Sequence, residues 1–140
     1  MGGVRRSDPT SENETGADAV AVDISGRHED ETSGRYIMVC AAVAVDLNPN
    51  SLDSVGPMEF ETVDTETGPS FEVVADTVGR AVEALSDSVT RDAVVVSEEG
   101  EFYNKPDWVV EGALTGHNEF KYVETIGERK AVDVAHRAAY

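Results

Sequence analysis

The sequence predicts an α/β domain in which a mixed five-stranded sheet is covered by helices, and three observations support this fold class. Val20, Val22 and Ile24 alternate with smaller or polar residues, which is the period of a strand. Apolar residues recur with a period of 3.6 through residues 71–85, which is the period of a helix. In the second half of the chain, strand-like and helix-like segments alternate, as parallel strands with crossover helices require.

Three strand-like segments come first along the chain. The segment 20–24 is followed by a polar loop at 26–34 and then by an apolar segment at 35–47. Asn, Pro and Gly residues interrupt the next stretch, after which a third strand is expected at 58–63. The short connections predict that these three strands pair as an antiparallel meander.

Helical crossovers are expected in the second half. Ser70 has the character of an N-cap for a helix that continues to Leu85. A β-branched segment at 93–97 predicts the fourth strand, and Pro106 opens a short helix after it. The crossovers place the strand at 93–97 parallel to the first strand and next to it.

The chain ends on a strand and a helix. Residues 120–124 are expected to form the fifth strand, and the last helix is expected at 128–139. Thr125 and Glu128 have the spacing of a capping box ahead of that helix. In the resulting sheet the first strand is central.

The net charge is extreme, because 28 acidic residues stand against 11 basic ones and give −17. Only three of the basic residues are lysines. This composition is typical of cytoplasmic proteins from extreme halophiles, in which salt screens the repulsion and acidic surfaces keep the protein soluble. The charge therefore indicates a solvation requirement and does not identify a partner.

Domain organisation and location follow from the remaining composition. Residues 1–17 are polar and acidic and are expected to be a disordered tail, whereas 18–140 form one domain. Cys40 is the only cysteine, so an internal disulfide is impossible. No apolar run approaches the roughly 18 residues of a membrane span, and the N-terminus lacks the apolar core of a secretory signal. A cytoplasmic location is expected.

Asp23 is the most informative single residue. It is a lone carboxylate inside the apolar run Ala19–Ile24, where it is expected on the face of a core strand. Burying an unpaired charge is costly, so the side chain needs a partner, and metal ions often serve as one.

Asp23 and the Ser-Gly-Arg run at 25–27, followed by an apolar return strand, resemble the opening of ribonuclease HII in the ribonuclease H-like superfamily. The predicted element order is similar to that fold as well. Ile24 stands where ribonuclease HII has a glutamate, and His28 stands where it has a second glycine. The resemblance thus implies a divergent, uncharacterised archaeal relative.

The resemblance implies a divalent-metal-dependent nuclease, in which two Mg²⁺ or Mn²⁺ ions about 4 Å apart cleave a phosphodiester. The substrate class is nucleic acid, either RNA, DNA or a hybrid. The candidate metal ligands are Asp23, Glu98, Glu99, Glu124, Glu128 and Asp133. Of these, Asp23, Glu99 and Glu128 are the catalytic candidates. The candidate substrate-binding residues are Ser25, Gly26 and Arg27.

Structural alternatives exist for these carboxylates. Asp23 in an ion pair with an arginine is one, and Glu128 as the acidic residue of a capping box is another. Asp133 has the spacing to pair with Arg129 or Arg137. The pattern also leaves open which of the two carboxylates at 98 and 99 is a ligand.

The functional alternative is a non-catalytic ribonuclease H-like protein with a structural or interaction role. His136 belongs to the same open question, because it is either a base or ligand near Asp133 or a packed or solvated helical histidine. The geometry of the carboxylates discriminates between the two functions, since a nuclease needs them to converge on one point.

The charge balance generates a stability prediction. The melting temperature of the domain should rise from dilute buffer to molar KCl, because the Debye length falls from about 10 Å at 0.1 M to about 3 Å at 1 M. Thermal melts followed by circular dichroism across KCl concentrations would measure this. A melting temperature that does not depend on salt would contradict the solvation interpretation of the −17 charge.

Overall fold

The computed structural model describes residues 16–26, 33–114 and 118–140. The strands are β1 (Ala19–Ser25), β2 (Tyr36–Asn48), β3 (Ser51–Thr65), β4 (Val94–Ser97) and β5 (Phe120–Tyr122). The helices are α1 (Phe71–Ala84), α2 (Asp87–Thr90), α3 (Asp107–Ala113) and α4 (Ile126–Ala139).

The five strands form one mixed sheet in the order β3-β2-β1-β4-β5. β1 pairs antiparallel with β2 and β2 pairs antiparallel with β3. β4 is parallel to β1 and β5 is parallel to β4. The predicted mixed sheet with a central first strand between the second and fourth strands is confirmed.

The main difference from the prediction is the length of the third strand. It was expected at 58–63 and extends over Ser51–Thr65, so that β2 and β3 form a long hairpin. Gly56 and Pro57 favour a loop on propensity alone. An edge strand tolerates them, because the register shift between Val43 and Val45 accommodates one extra residue of β3 as a bulge.

Two apolar layers cover the two faces of β1. Successive side chains of β1 lie on opposite faces of the sheet. Val20, Val22 and Ile24 lie in the layer that packs on α1, whereas Ala19 and Ala21 lie in the layer that packs on α4. The α1 face is thus built from larger side chains, and the α4 face of β1 is built from alanines. Small side chains allow α4 to approach β1 closely, which matters for the polar residues further along that face.

The start of α4 is fixed by a close backbone contact with the β2–β3 hairpin. The N–H of Gly127 donates to the carbonyl of Pro49 at 3.2 Å. A Cβ atom at position 127 would lie 2.0 Å from the carbonyl oxygen of Asn48 and 2.7 Å from that of Ser51. Only glycine fits there, so the hairpin turn and the helix start form one unit.

Of the predicted 1–17 tail, residues 1–15 lie outside the described residues, and the N–H of Ala17 donates to the carbonyl of Val89 at 2.9 Å. None of the helices in the described ranges is long and apolar enough to cross a membrane.

Replacing Gly127 by alanine should destabilise the domain by roughly 2 kcal/mol or more, because the hairpin turn would have to move away from α4. Gly112 in α3 is a matched control, since a Cβ atom there meets nothing within 4 Å. Gly112→Ala should stabilise slightly, by about 0.5–1 kcal/mol, as expected for a helical glycine. Denaturant unfolding of both variants in molar KCl would test this pair, and equal effects of the two substitutions would contradict it.

Candidate functional site

Asp23 lies on the α4 face of the central strand. It follows Ala19 and Ala21 at intervals of two residues, so the pleat of β1 directs its side chain to the same side as theirs. The carboxylate is only 5% exposed. A buried carboxylate of this kind requires a charged or hydrogen-bonding partner.

The partner comes from the last helix. Nδ1 of His136 lies 3.2 Å from Oδ2 of Asp23, which is hydrogen-bonding distance. The imidazole is 57% exposed, so the pair connects a buried carboxylate to solvent. The ring of Tyr140, one turn later, packs on the imidazole with a centroid distance of 4.3 Å.

The electrostatic environment disfavours a negative charge on Asp23. Burial raises its pKa most, the Glu101 carboxylate raises it further, and Glu98 adds a smaller increase. His136 opposes these effects through its charge and its hydrogen bond. The result is a pKa of about 7 for Asp23, far above the ordinary 3.8.

The two neighbouring carboxylates come from a turn after β4. The parallel register pairs Ala21 with Val96, so Asp23 and Glu98 lie two residues beyond the same pair on adjacent strands. The N–H of Glu101 then donates to the carbonyl of Glu98 at 3.3 Å, with Gly100 at a φ of +95°. This turn brings Glu98 and Glu101 to the same end of the sheet.

Glu101 is the neighbour that the sequence prediction missed. Glu98 and Glu99 were the candidates because they directly follow the strand, but Glu99 occupies an exposed corner of the turn. A four-residue turn with glycine in third place returns its fourth residue beside its first. The Glu-Glu-Gly-Glu sequence contained this signal.

Glu98 has a partner of its own. Its Oε2 lies 2.6 Å from Nη1 of Arg129, which belongs to the first turn and a half of α4. Arg129 and His136 are seven residues apart, two helical turns, and therefore lie on the same side of α4. That side of the helix thus contacts both Asp23 on β1 and Glu98 beyond β4.

Glu128 and Glu124 belong to a different cluster. Oε1 of Glu128 accepts the N–H of Glu124 at 2.8 Å and the N–H of Thr125 at 3.0 Å, which completes the predicted capping box. Nζ of Lys121 contacts Glu128 at 2.8 Å and Glu124 at 2.9 Å. Burial opposes ionisation of Glu128, but these hydrogen bonds hold its pKa below the ordinary value. Its surroundings are those of a helix cap.

The other candidates are distributed as follows. Asp133 is exposed on α4 and is not among the charges that shift the pKa of Asp23. The Ser25 hydroxyl donates to the carbonyl of Ala139 at 2.7 Å. Gly26 has a φ of +83°, and its backbone packs against the carbonyl of Ile37. Arg27 lies outside the described residues.

The structure therefore brings together only part of the predicted metal set. Asp23 and Glu98 adjoin each other at the ends of β1 and β4, and His136 and Glu101 complete the group around them. Within residues 16–26, 33–114 and 118–140, no three His, Cys, Asp or Glu side chains are placed to hold a metal ion as they stand.

Comparison with known proteins gives a family for this chain. A family described as "Uncharacterized protein conserved in archaea (DUF2209)" matches residues 20–140. The chain belongs to this archaeal family. The expected archaeal character is thereby confirmed, and the match covers every helix and strand of the described residues except Ala19 at the start of β1. No curated protein and no solved structure matches the chain.

The family assignment corrects the resemblance drawn from the sequence. Membership of the ribonuclease H-like superfamily as a relative of ribonuclease HII was wrong, because the matching family is DUF2209. The short motif formed by Asp23 and residues 25–27 was not specific to one family, because an acid on a strand before a Ser-Gly turn is a common pattern. The function of the site must be inferred from its own geometry.

The raised pKa of Asp23 generates a pH prediction. The native state binds a proton on Asp23 up to about pH 7, whereas the unfolded chain releases it near the ordinary 3.8. The native state therefore loses stability as the pH rises through this interval, by a few kcal/mol at most. Asp23→Asn stays neutral, so its stability relative to wild type should improve from pH 5 to pH 8.

Denaturant unfolding of the metal-free protein at several pH values in molar KCl would measure this difference. Glu83→Gln, which removes an exposed carboxylate on α1, is the control and should show no such trend. If Asp23→Asn loses stability relative to wild type between pH 5 and pH 8, the raised pKa of Asp23 is contradicted.

Proposed function

We propose that the domain is a divalent-cation-dependent phosphodiester hydrolase acting on nucleic acid, with its site at the carboxyl ends of β1 and β4. The proposal depends on one observation: Asp23 is an almost fully buried carboxylate whose electrostatic neighbours include two more carboxylates, Glu101 and Glu98. Like charges in a partly desolvated site repel each other. A bound cation would remove that repulsion and stabilise the ionised form of Asp23.

The chemistry of the donors fits such an ion. Carboxylate oxygens are the preferred ligands of Mg²⁺ and Mn²⁺. The residues that would hold the ion are Asp23 and Glu98, while His136 keeps its hydrogen bond to Asp23. Within the described residues no three His, Cys, Asp or Glu side chains are placed to hold a metal ion. Glu98 therefore has to turn away from Arg129 in order to bind one. Both members of that pair are about half exposed, so breaking it costs about 1 kcal/mol or less.

Each residue of the site has a role that follows from its position. β1 holds Asp23 rigidly, because both faces of this strand are buried. His136 orients the Asp23 carboxylate through Nδ1, and its exposed ring offers the second nitrogen for proton transfer with a substrate. When bound, a divalent ion supplies Lewis acidity at the phosphodiester and activates the attacking water.

The topology supports the proposal in a further way. Parallel pairing of β1 with β4 places the carboxyl ends of both strands at the same edge of the sheet, which is a common location for ligand sites in α/β proteins. We also propose, from strand order and direction alone, that the architecture is ribonuclease H-like. This proposal concerns topology and does not imply kinship with ribonuclease HII.

A second candidate, a non-catalytic interaction domain, is favoured by a different surface. The edge strand β3 exposes Val55, Met58 and Phe60, and Ile37 of β2 is exposed beside it. Apolar side chains concentrated on one hairpin are typical of a contact surface for another macromolecule. In that case Asp23 and His136 would serve only to join β1 to α4.

Binding of Mn²⁺ and cleavage of nucleic acid distinguish the two candidates. In molar KCl the wild-type protein should bind Mn²⁺, measured by electron paramagnetic resonance, and should cleave at least one of three substrates: an RNA–DNA hybrid, branched DNA or single strands. Asp23→Asn should weaken both by roughly 100-fold or more, because removing even an outer partner of a metal ligand costs about 10- to 100-fold.

Glu83→Gln is the matched control, since it removes an exposed carboxylate from α1 on the opposite face of the sheet. It should leave binding and cleavage unchanged. If wild type and Asp23→Asn bind Mn²⁺ equally, or neither binds it, the hydrolase proposal is overturned and the interaction domain gains support.

A further inference from the structure

The Arg129–Glu98 ion pair lies at the edge of the candidate site. Nη1 of Arg129 lies 2.6 Å from Oε2 of Glu98, across a separation of 31 residues in sequence. Glu98 in turn acts electrostatically on Asp23, which is in direct contact with His136. The guanidinium thus places a positive charge beside Glu98 at the edge of the candidate site.

Arg129 forms its ion pair with a residue outside its own helix. Asp133 lies four residues later on α4, at the spacing of a common helical ion pair. In the structure the guanidinium instead reaches Glu98 beyond β4. Because Arg129 lies on the same side of α4 as His136, the pair is part of the candidate site.

Two properties of the pair make it exchangeable. Side-chain exposure is 48% for Arg129 and 44% for Glu98, and exposed pairs contribute little stability. A carboxylate oxygen that coordinates a divalent ion is no longer a strong acceptor for a guanidinium. An arginine displaced in this way presents several N–H donors in a planar arrangement that matches a phosphate group.

We infer that Arg129 exchanges partners on metal binding: it holds Glu98 in the metal-free protein and binds a substrate phosphate once a divalent cation occupies Glu98. This inference rests on the proposed function and adds a substrate-binding residue to it. It also makes cation and nucleic acid binding cooperative, because the cation frees the residue that contacts the phosphate.

The first test measures Mn²⁺ affinity of the full chain in molar KCl. Arg129→Gln should bind Mn²⁺ roughly 5-fold more tightly than wild type, which is the equivalent of breaking a pair of about 1 kcal/mol. In a Glu98→Gln background the same substitution should have no effect, because the competition is for Glu98. Arg80→Gln is the matched control, since Arg80 pairs with Asp76 and Glu61 away from the site.

The second test measures substrate binding with a fluorescein-labelled, phosphorothioate-substituted single-stranded oligodeoxynucleotide, which resists cleavage. In Mn²⁺, Arg129→Gln should weaken binding, and in EDTA it should have no effect, because Arg129 is then held by Glu98. Arg129→Lys keeps the charge without the planar donor group and should lose part of the binding in Mn²⁺. Circular dichroism of each variant would establish that it is folded.

The outcomes separate this inference from the proposed function. In one outcome the wild-type protein binds Mn²⁺ while Arg129→Gln binds it equally or more weakly. That result overturns the partner exchange and leaves the hydrolase proposal standing. An equal loss of oligonucleotide binding in Mn²⁺ and in EDTA also overturns it, because Arg129 would then act as a general positive charge. Wild-type protein that binds no Mn²⁺ overturns both.

Discussion

The contact of 3.2 Å between Asp23 and His136 joins the central strand to the last helix, and the rest of the site depends on it. Asp23 is confined between β2 and β4 on a strand that is buried along its whole length. A carboxylate in that position needs a group that can donate a hydrogen bond or carry a positive charge. α4 supplies it, and in doing so the helix also brings Arg129 to Glu98.

The packing that permits this contact is set at the other end of α4. Glycine at position 127 allows the backbone of the helix to touch the turn between β2 and β3, which fixes the start of the helix relative to the sheet. Alanines on the α4 face of β1 then let the helix lie close to the strand. The distance between Asp23 and His136 is therefore a consequence of small residues elsewhere on β1 and α4.

The two buried carboxylates of the described residues show how the same functional group serves different purposes. Glu128 accepts two backbone N–H groups and contacts Lys121, so its pKa is lowered and its charge is fully compensated. Asp23 has a single histidine and two acidic neighbours, so its pKa is raised. A compensated buried acid is typical of a structural position, whereas an uncompensated one is typical of a functional site. Both were catalytic candidates before their surroundings were known.

Sequence patterns predicted the mixed sheet with a central first strand, the capping box, the unusual position of Asp23 and the element order except for the short helix α2. These follow from local periodicity, turn residues and short connections, which act between neighbouring residues. The acids that accompany Asp23 could not be predicted, because they depend on the turn that returns Glu101 beside Glu98 and on the side of α4 that faces the sheet. The length of β3 was also decided by pairing with β2, whose backbone groups accommodate an edge strand containing Pro57. Local patterns contain no information on which distant residues share an edge of the sheet.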